Sequence, residues 1–155
     1  MKKIFSLLII AVIFFTINAG AQDYKTAVGL QIDFGDGSTL AGPAIKYFFQ
    51  KNSAIEGEVL FGNHITFLQA FYQYQQSLPN AKNLDWYLGG GPSLGLYSGG
   101  SSFYLCPMIG LDYKLSSAPL ALSFDWRPFL YLGSNSDGSR FTAARFGIGV
   151  KYVLN

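Results

Sequence analysis

Few side chains in this sequence are suited to bond-making chemistry, and their spacing argues against it. A Ser-His-acid site needs a histidine to take the nucleophile's proton. The one histidine, His64, lies at a tight-turn signal, Gly62-Asn63, with Thr66 rather than a serine two residues on. It reads as an interfacial turn residue, not a base. Glu56 and Glu58 flank a single position and share a strand face, a spacing open to paired-acid or metal chemistry. With one histidine, one cysteine and many cations along the chain, they read instead as rungs of an ion-pair ladder. Gly89-Gly90-Gly91 lacks the lysine and following helix of a phosphate loop, and neither zinc spacing nor a dinucleotide fingerprint is present. Cys106, alone, forms no disulfide within the chain and reads as a packed thiol. The sequence therefore predicts no catalytic residue, no cofactor and no metal.

The remaining charges matter as a group, and their grouping depends on strands. Turn signals divide the chain into strands expected near 24–34, 39–49, 54–62, 64–75, 84–97, 102–114, 119–132 and 141–154. Side chains alternate across a strand, so each segment separates into two faces. One face carries Leu30, Ile32, Ile45, Tyr47, Ile55, Val59, Leu88, Leu94, Ile109, Leu111, Leu122, Phe124, Ile148 and Val150. The other carries Lys25, Asp33, Lys46, Glu56, Glu58, Asp85, Asp112, Lys114, Asp125, Arg127, Arg145 and Lys151, six cations against six anions. Five strands hold two charges each, and every pair agrees in parity, an outcome that chance gives about once in thirty. The fourth strand is the least regular. Leu68, Ala70, Tyr72 and Tyr74 are expected outside, which leaves Phe67 and Phe71 among Gln69, Gln73 and Gln75.

An apolar outside around a charged inside is what lipid demands of a closed sheet, since a cation facing mid-bilayer costs about 2–4 kcal/mol. Strand lengths agree with the roughly 9–11 residues of a tilted membrane strand. The expected fold is all-β: an eight-stranded antiparallel closed transmembrane barrel with a polar, side-chain-filled lumen. Eight strands leave an interior that side chains fill, so a salt-bridged plug is expected rather than an open pore. Tyr24, Tyr47, Phe49, Tyr72, Tyr74, Trp86, Tyr113 and Tyr152 are expected outward and toward one rim, where Tyr and Trp meet the interface. Pro43, Pro92, Pro107 and Pro128 share the outward parity inside strands, and bulges or kinks are expected to absorb them.

Composition agrees. Charged residues are 13% and aromatics 17% of 155, well below the roughly 25% charged of soluble proteins. Met1-Lys2-Lys3, the apolar run from Ile4 to Phe15 and Ala19-Gly20-Ala21 read as a cleaved signal peptide over 1–21, leaving one barrel domain over 22–155. Without Lys2 and Lys3, nine of the eleven basic residues remain against nine acidic ones, so no basic excess is left to attract nucleic acid.

Leu84-Asp85-Trp86-Tyr87-Leu88-Gly89-Gly90-Gly91-Pro92, Ile109-Gly110-Leu111-Asp112-Tyr113-Lys114-Leu115 and Ser123-Phe124-Asp125-Trp126-Arg127-Pro128 give the chain a likeness to known proteins. It resembles the small outer-membrane barrels of the OmpA/OmpX-like type, and most closely the barrel-domain proteins of Bacteroidota-like bacteria. The resemblance implies residence in the outer membrane among its lipids after delivery by the insertion machinery. The end at Tyr152-Val153-Leu154-Asn155 departs from the terminal aromatic common in such proteins. The expected role is structural or one of surface interaction, by a monomer without catalysis. A narrow solute channel is the alternative, followed by a lipid-modifying enzyme or a soluble lipid-binding barrel. Short exterior loops disfavour a dedicated adhesin.

Overall fold

In the computed structural model, residues 24–133 and 140–154 are described. The signal-peptide expectation and most of the 133–140 loop lie outside them. Strands β1 (Thr26–Gly35), β2 (Ser38–Gln50), β3 (Ser53–Gly62), β4 (Ile65–Ser77), β5 (Leu84–Tyr97) and β6 (Gly100–Lys114) follow one another as antiparallel staves. The seventh stave is two pieces, β7 (Leu120–Trp126) and β8 (Phe129–Tyr131), as is the eighth, β9 (Phe141–Thr142) and β10 (Arg145–Leu154). Each stave pairs with its sequence neighbour, and β1 pairs with β10 from Thr26↔Leu154 to Gly35↔Arg145. This is a closed, eight-stranded, antiparallel transmembrane β-barrel with no free edge.

Turn chemistry sets the hairpins. Gly35 pairs with Ser38 around Asp36 and Gly37, whose φ of 48° and 72° match the type I′ turn that suits twisted strands. His64 takes φ 60° in the Asn63-His64 turn, and Gly99 takes φ 101° between Tyr97 and Gly100. These three turns crowd the end opposite the termini.

The faces alternate as lipid requires. Leu30, Ile45, Ile55, Leu88, Ile109, Phe124 and Val150 are exposed around the outer wall, while Gln31, Lys46, Glu56, Asp85, Asp112 and Asp125 are buried inside. In β4, Leu68, Tyr72 and Tyr74 face out, with Phe67 and Phe71 buried beside Gln69, Gln73 and Gln75.

Several expectations need correction. Tyr24 does not join the outer girdle: it is 4% exposed and plugs the terminus end of the lumen. Lys25, expected inside, is exposed and lies over the outward Tyr47 ring at 5.7 Å. Both follow from the strand starting at Thr26, so that the bend at Lys25 breaks the alternation before it begins. The girdle is also not confined to one rim, since Tyr97 and Trp126 are exposed near the opposite end.

Pro43 and Pro92 produce gaps rather than bulges, whereas across Pro128 the pairing of the seventh stave with the eighth slips by one residue, from Trp126↔Phe146 to Phe129↔Thr142. Pairing of β2 with β3 passes from Ala41↔Phe61 to Ala44↔Glu58 across Pro43 without a change of register. Pairing of β4 with β5 passes from Gln69↔Ser93 to Tyr72↔Gly90 across Pro92 in the same way. Each proline lacks the donor for that ladder, so rungs are lost and the alignment is kept. Pro128 departs from the outward parity. It is buried, between Arg127 and Phe129 that are buried too, where the seventh stave breaks.

Candidate functional site

The lumen is packed in layers. At the terminus end Tyr24, Ala27, Phe48, Ala54, Ala121 and Val153 form an apolar floor, with the Tyr24 ring edge-on to Phe48 at 5.2 Å. Toward the tight turns, Leu40, Leu60, Phe67, Phe71, Tyr87, Cys106, Met108 and Phe129 form a second apolar cluster, with Tyr104 packed against it. Phe67, Tyr104 and Phe129 stack with centroids 5.3–5.8 Å apart. Ionic groups run between and beside these clusters. The interior is therefore polar in its middle and aromatic at the turn end.

Arg127 is the hub of the ionic layer. Its Nη1 donates to both oxygens of Glu58 at 3.1 and 2.8 Å, and its Nε and Nη2 grip Asp125. Paired forks of this kind match the planar guanidinium to a carboxylate. Tyr87 donates its hydroxyl to Asp125 Oδ2 at 2.6 Å, and the Arg127 guanidinium lies over the Phe71 ring at 5.5 Å. Lys151 pairs with Glu56 at 2.5 Å, and the Gln73 amide donates to the same carboxylate at 2.6 Å. Lys46 pairs with Asp112 at 2.7 Å, donates to Gln75 Oε1 at 2.6 Å, and sits 4.9 Å from the Tyr87 centroid. Gln75 in turn donates to Asp85 at 3.0 Å, and Tyr24 donates its hydroxyl to Asp112 at 3.2 Å. Arg145 lies apart, toward the turn end, holding Asp33 Oδ1 through Nε and Nη2 at 3.1 and 2.8 Å.

Close backbone approach makes room for this layer. A Cβ at Gly147 would lie 2.5 Å from Arg127 Nε and 2.6 Å from Gln31 Nε2, so the hub exists because that stave is bare there. Gly89 and Gly91 have another use: a Cβ on either would meet β4 carbonyl oxygens at 2.1 and 1.9 Å. A Cβ on Gly90 would instead lie 2.9 Å from the Cys106 carbonyl oxygen of β6, so the triple-glycine run is a wall contact of β5 with both its neighbours.

Asp33, Lys46, Glu56, Glu58, Asp85, Asp112, Asp125, Arg127, Arg145 and Lys151 are buried in the lumen. Lys25 is outside, and Lys114 is half-buried at the terminus rim, 5.9 Å from the Tyr24 centroid. The expected balance of six against six becomes, among the described buried residues, four cations against six carboxylates. Two carboxylates share Arg127, Lys46 pairs with Asp112 and reaches Asp85 only through Gln75, and Asp85 and Asp112 are direct cross-strand partners. Gln31, Gln73, Gln75, Tyr87 and Tyr24 were not expected in the network, although the first four share its inward parity. Among the described residues, no cluster of His, Cys, Asp and Glu has the arrangement of a metal site, and His64 is exposed on its turn.

No protein-family profile and no curated protein matches the chain by sequence. Solved structures do match by shape. The chain is similar to a de novo designed transmembrane β-barrel, at 14% identity and a TM-score of 0.63, over 86% of this chain and 99% of that one. It is likewise similar to the N-terminal β-barrel domain of Pseudomonas aeruginosa OprF, at 14% identity and a TM-score of 0.61, over 83% and 98%. Neisserial surface protein A matches at 16% identity and a TM-score of 0.54, over 84% and 96%. At such identities the likeness is one of fold, and it agrees with the strand count, closure and outer wall described above.

Proposed function

We propose that this chain is an integral outer-membrane β-barrel with a structural or surface-interaction role and no catalysis. The observation that carries the reading is the pairing of a continuous apolar outer wall with a lumen closed by its own side chains. Leu30, Ile45, Leu88, Ile109 and Val150 offer acyl chains a surface, whereas Arg127, Glu58 and Asp125 fill the centre. In this reading its partners are outer-membrane lipids and the insertion machinery, and it works as a monomer exported behind the apolar leader. The motif likeness supports a kinship with the Bacteroidota-like barrel-domain proteins. A lipid-modifying enzyme would need a base near a nucleophile, and exposed His64 on its turn does not supply one.

Cell fractionation with heat-modifiable gel mobility tests placement: the protein is expected in the outer-membrane fraction, migrating faster before boiling than after. Recovery of a detergent-free soluble protein would overturn the reading. A deletion strain is expected to show weakened envelope integrity with unchanged uptake of small solutes; the reverse would make it a channel.

A further inference from the structure

We propose that the turn end of the barrel is a binding pocket for a small planar aromatic molecule carrying an acceptor group, a hydroxyl or a carboxylate. The proposal needs only the barrel and its mouth, and goes beyond the structural role above. A cavity of about 420 Å³ opens between the Asp36–Gly37 turn, Asn63 and Thr142. That volume lies in the range of small-molecule sites, which favour barrel mouths and combine apolar walls with a few polar groups. Leu40, Phe67, Tyr104 and Phe129 supply the apolar walls. Their mutually packed rings leave a π-lined surface against which a flat ring stacks in offset or edge-on contact.

Arg145 supplies the polar anchor. It is 5% exposed, lines the cavity and lies 4.6 Å from the Phe129 centroid. Its Nε and Nη2 are committed to Asp33, while Nη1 donates to Ser38 Oγ at 2.9 Å and only distantly to the Gly35 carbonyl at 3.4 Å. The long contact is the one that an incoming acceptor oxygen replaces at least cost. Charge narrows the class further. Asp33 already balances Arg145, and Asp36 stands at the rim, so a neutral or singly charged ligand fits and a dianion does not.

The test uses protein purified from membranes into lipid nanodiscs with methyl-labelled Leu and Ile, titrated with 2-naphthol, 2-naphthoate and cyclohexanecarboxylate. Expected are saturable shifts at the Leu40 and Ile65 methyls with both naphthyl probes and none with the non-planar acid. Leu40→Trp, read at Ile65 alone, and Thr142→Trp, read at both methyls, fill the cavity from the wall and from the rim and are expected to abolish them. If Leu40→Trp does not fold, Thr142→Trp decides. Arg145→Lys keeps the charge but loses the fork and the stacked plane, and is expected to weaken 2-naphthoate about tenfold. Both naphthyl probes also partition into lipid, which moves the outward Leu30 and Ile45 methyls in a linear, non-saturating way. The proposal falls if Leu40 and Ile65 follow that linear course, if their shifts survive the filling variants, or if Arg145→Lys binds 2-naphthoate as well as the original.

Discussion

Arg127 shows how a charge is kept inside this protein. Its side chain is 1% exposed, yet four of its hydrogen bonds end on two carboxylates and its guanidinium face meets a ring. Breaking a buried pair by removing one partner costs about 3–5 kcal/mol, because the remaining charge is left uncompensated. Arg127→Met is expected to lose that much in urea unfolding from lipid vesicles, and adding Glu58→Gln and Asp125→Asn to recover part of it. If the triple variant is no more stable than the single one, the lost charge balance is not the cause. Asp85 and Asp112 make a sharper contrast. They face each other across β5 and β6, but Asp112 binds Lys46 and Tyr24 whereas Asp85 meets the Gln75 amide. Like charges directly opposite destabilise a sheet. Asp85→Asn is therefore expected to unfold at or above the original urea midpoint and Asp112→Asn clearly below it. The same titrations check both.

Among the elements, the seam between β6 and the broken seventh stave is interrupted within the wall. Pairing runs from Lys114↔Ala121 to Ile109↔Trp126, then resumes at Leu105↔Leu130 and Tyr104↔Tyr131 in unchanged register. The shared register sets Pro107 opposite Pro128 in the gap, and neither can donate to the other strand. Arg127 N turns instead to the Arg145 carbonyl, at 3.1 Å on the other side. Amide hydrogen exchange in micelles is expected to be faster at Leu105, Ile109 and Leu130, which flank the gap and point across it, than along β5–β6, where the ladder is unbroken. Equal protection at the two places would show that the prolines leave the wall intact. The prolines were legible in the sequence, but their effect was not. Parity placed all four outside, and only the facing of Pro107 by Pro128 shows why the chain breaks at the second of them.

As a whole molecule, the barrel is closed along its axis twice, by the Tyr24–Phe48 floor and by the Phe67–Tyr104–Phe129 cluster, with ion pairs between. Protein reconstituted in planar bilayers is accordingly expected to show no steady, large current at moderate voltage. Sustained conductance would require the hub around Arg127 to open and would revive the channel alternative. The surplus of carboxylates over cations among the described buried groups belongs to this scale too. It arose because Lys25 and Lys114, counted inside by parity, stand at the rim where strands begin and end.

Which face meets lipid was decided by residue order, since alternation along a pleated strand is local geometry and the cost of a charge in hydrocarbon admits only one orientation. Strand number, hairpin turns and the inward placement of Asp33, Glu56, Glu58, Asp125 and Arg127 followed from that. Partners within the lumen were settled only when the sheet closed. Arg127 meets Glu58 from sixty-nine positions away, and Arg145 meets Asp33 from one hundred and twelve. The layering into floor, ionic belt and aromatic mouth has the same origin, since parity tells which way a side chain points and only barrel closure and stagger tell what stands opposite it.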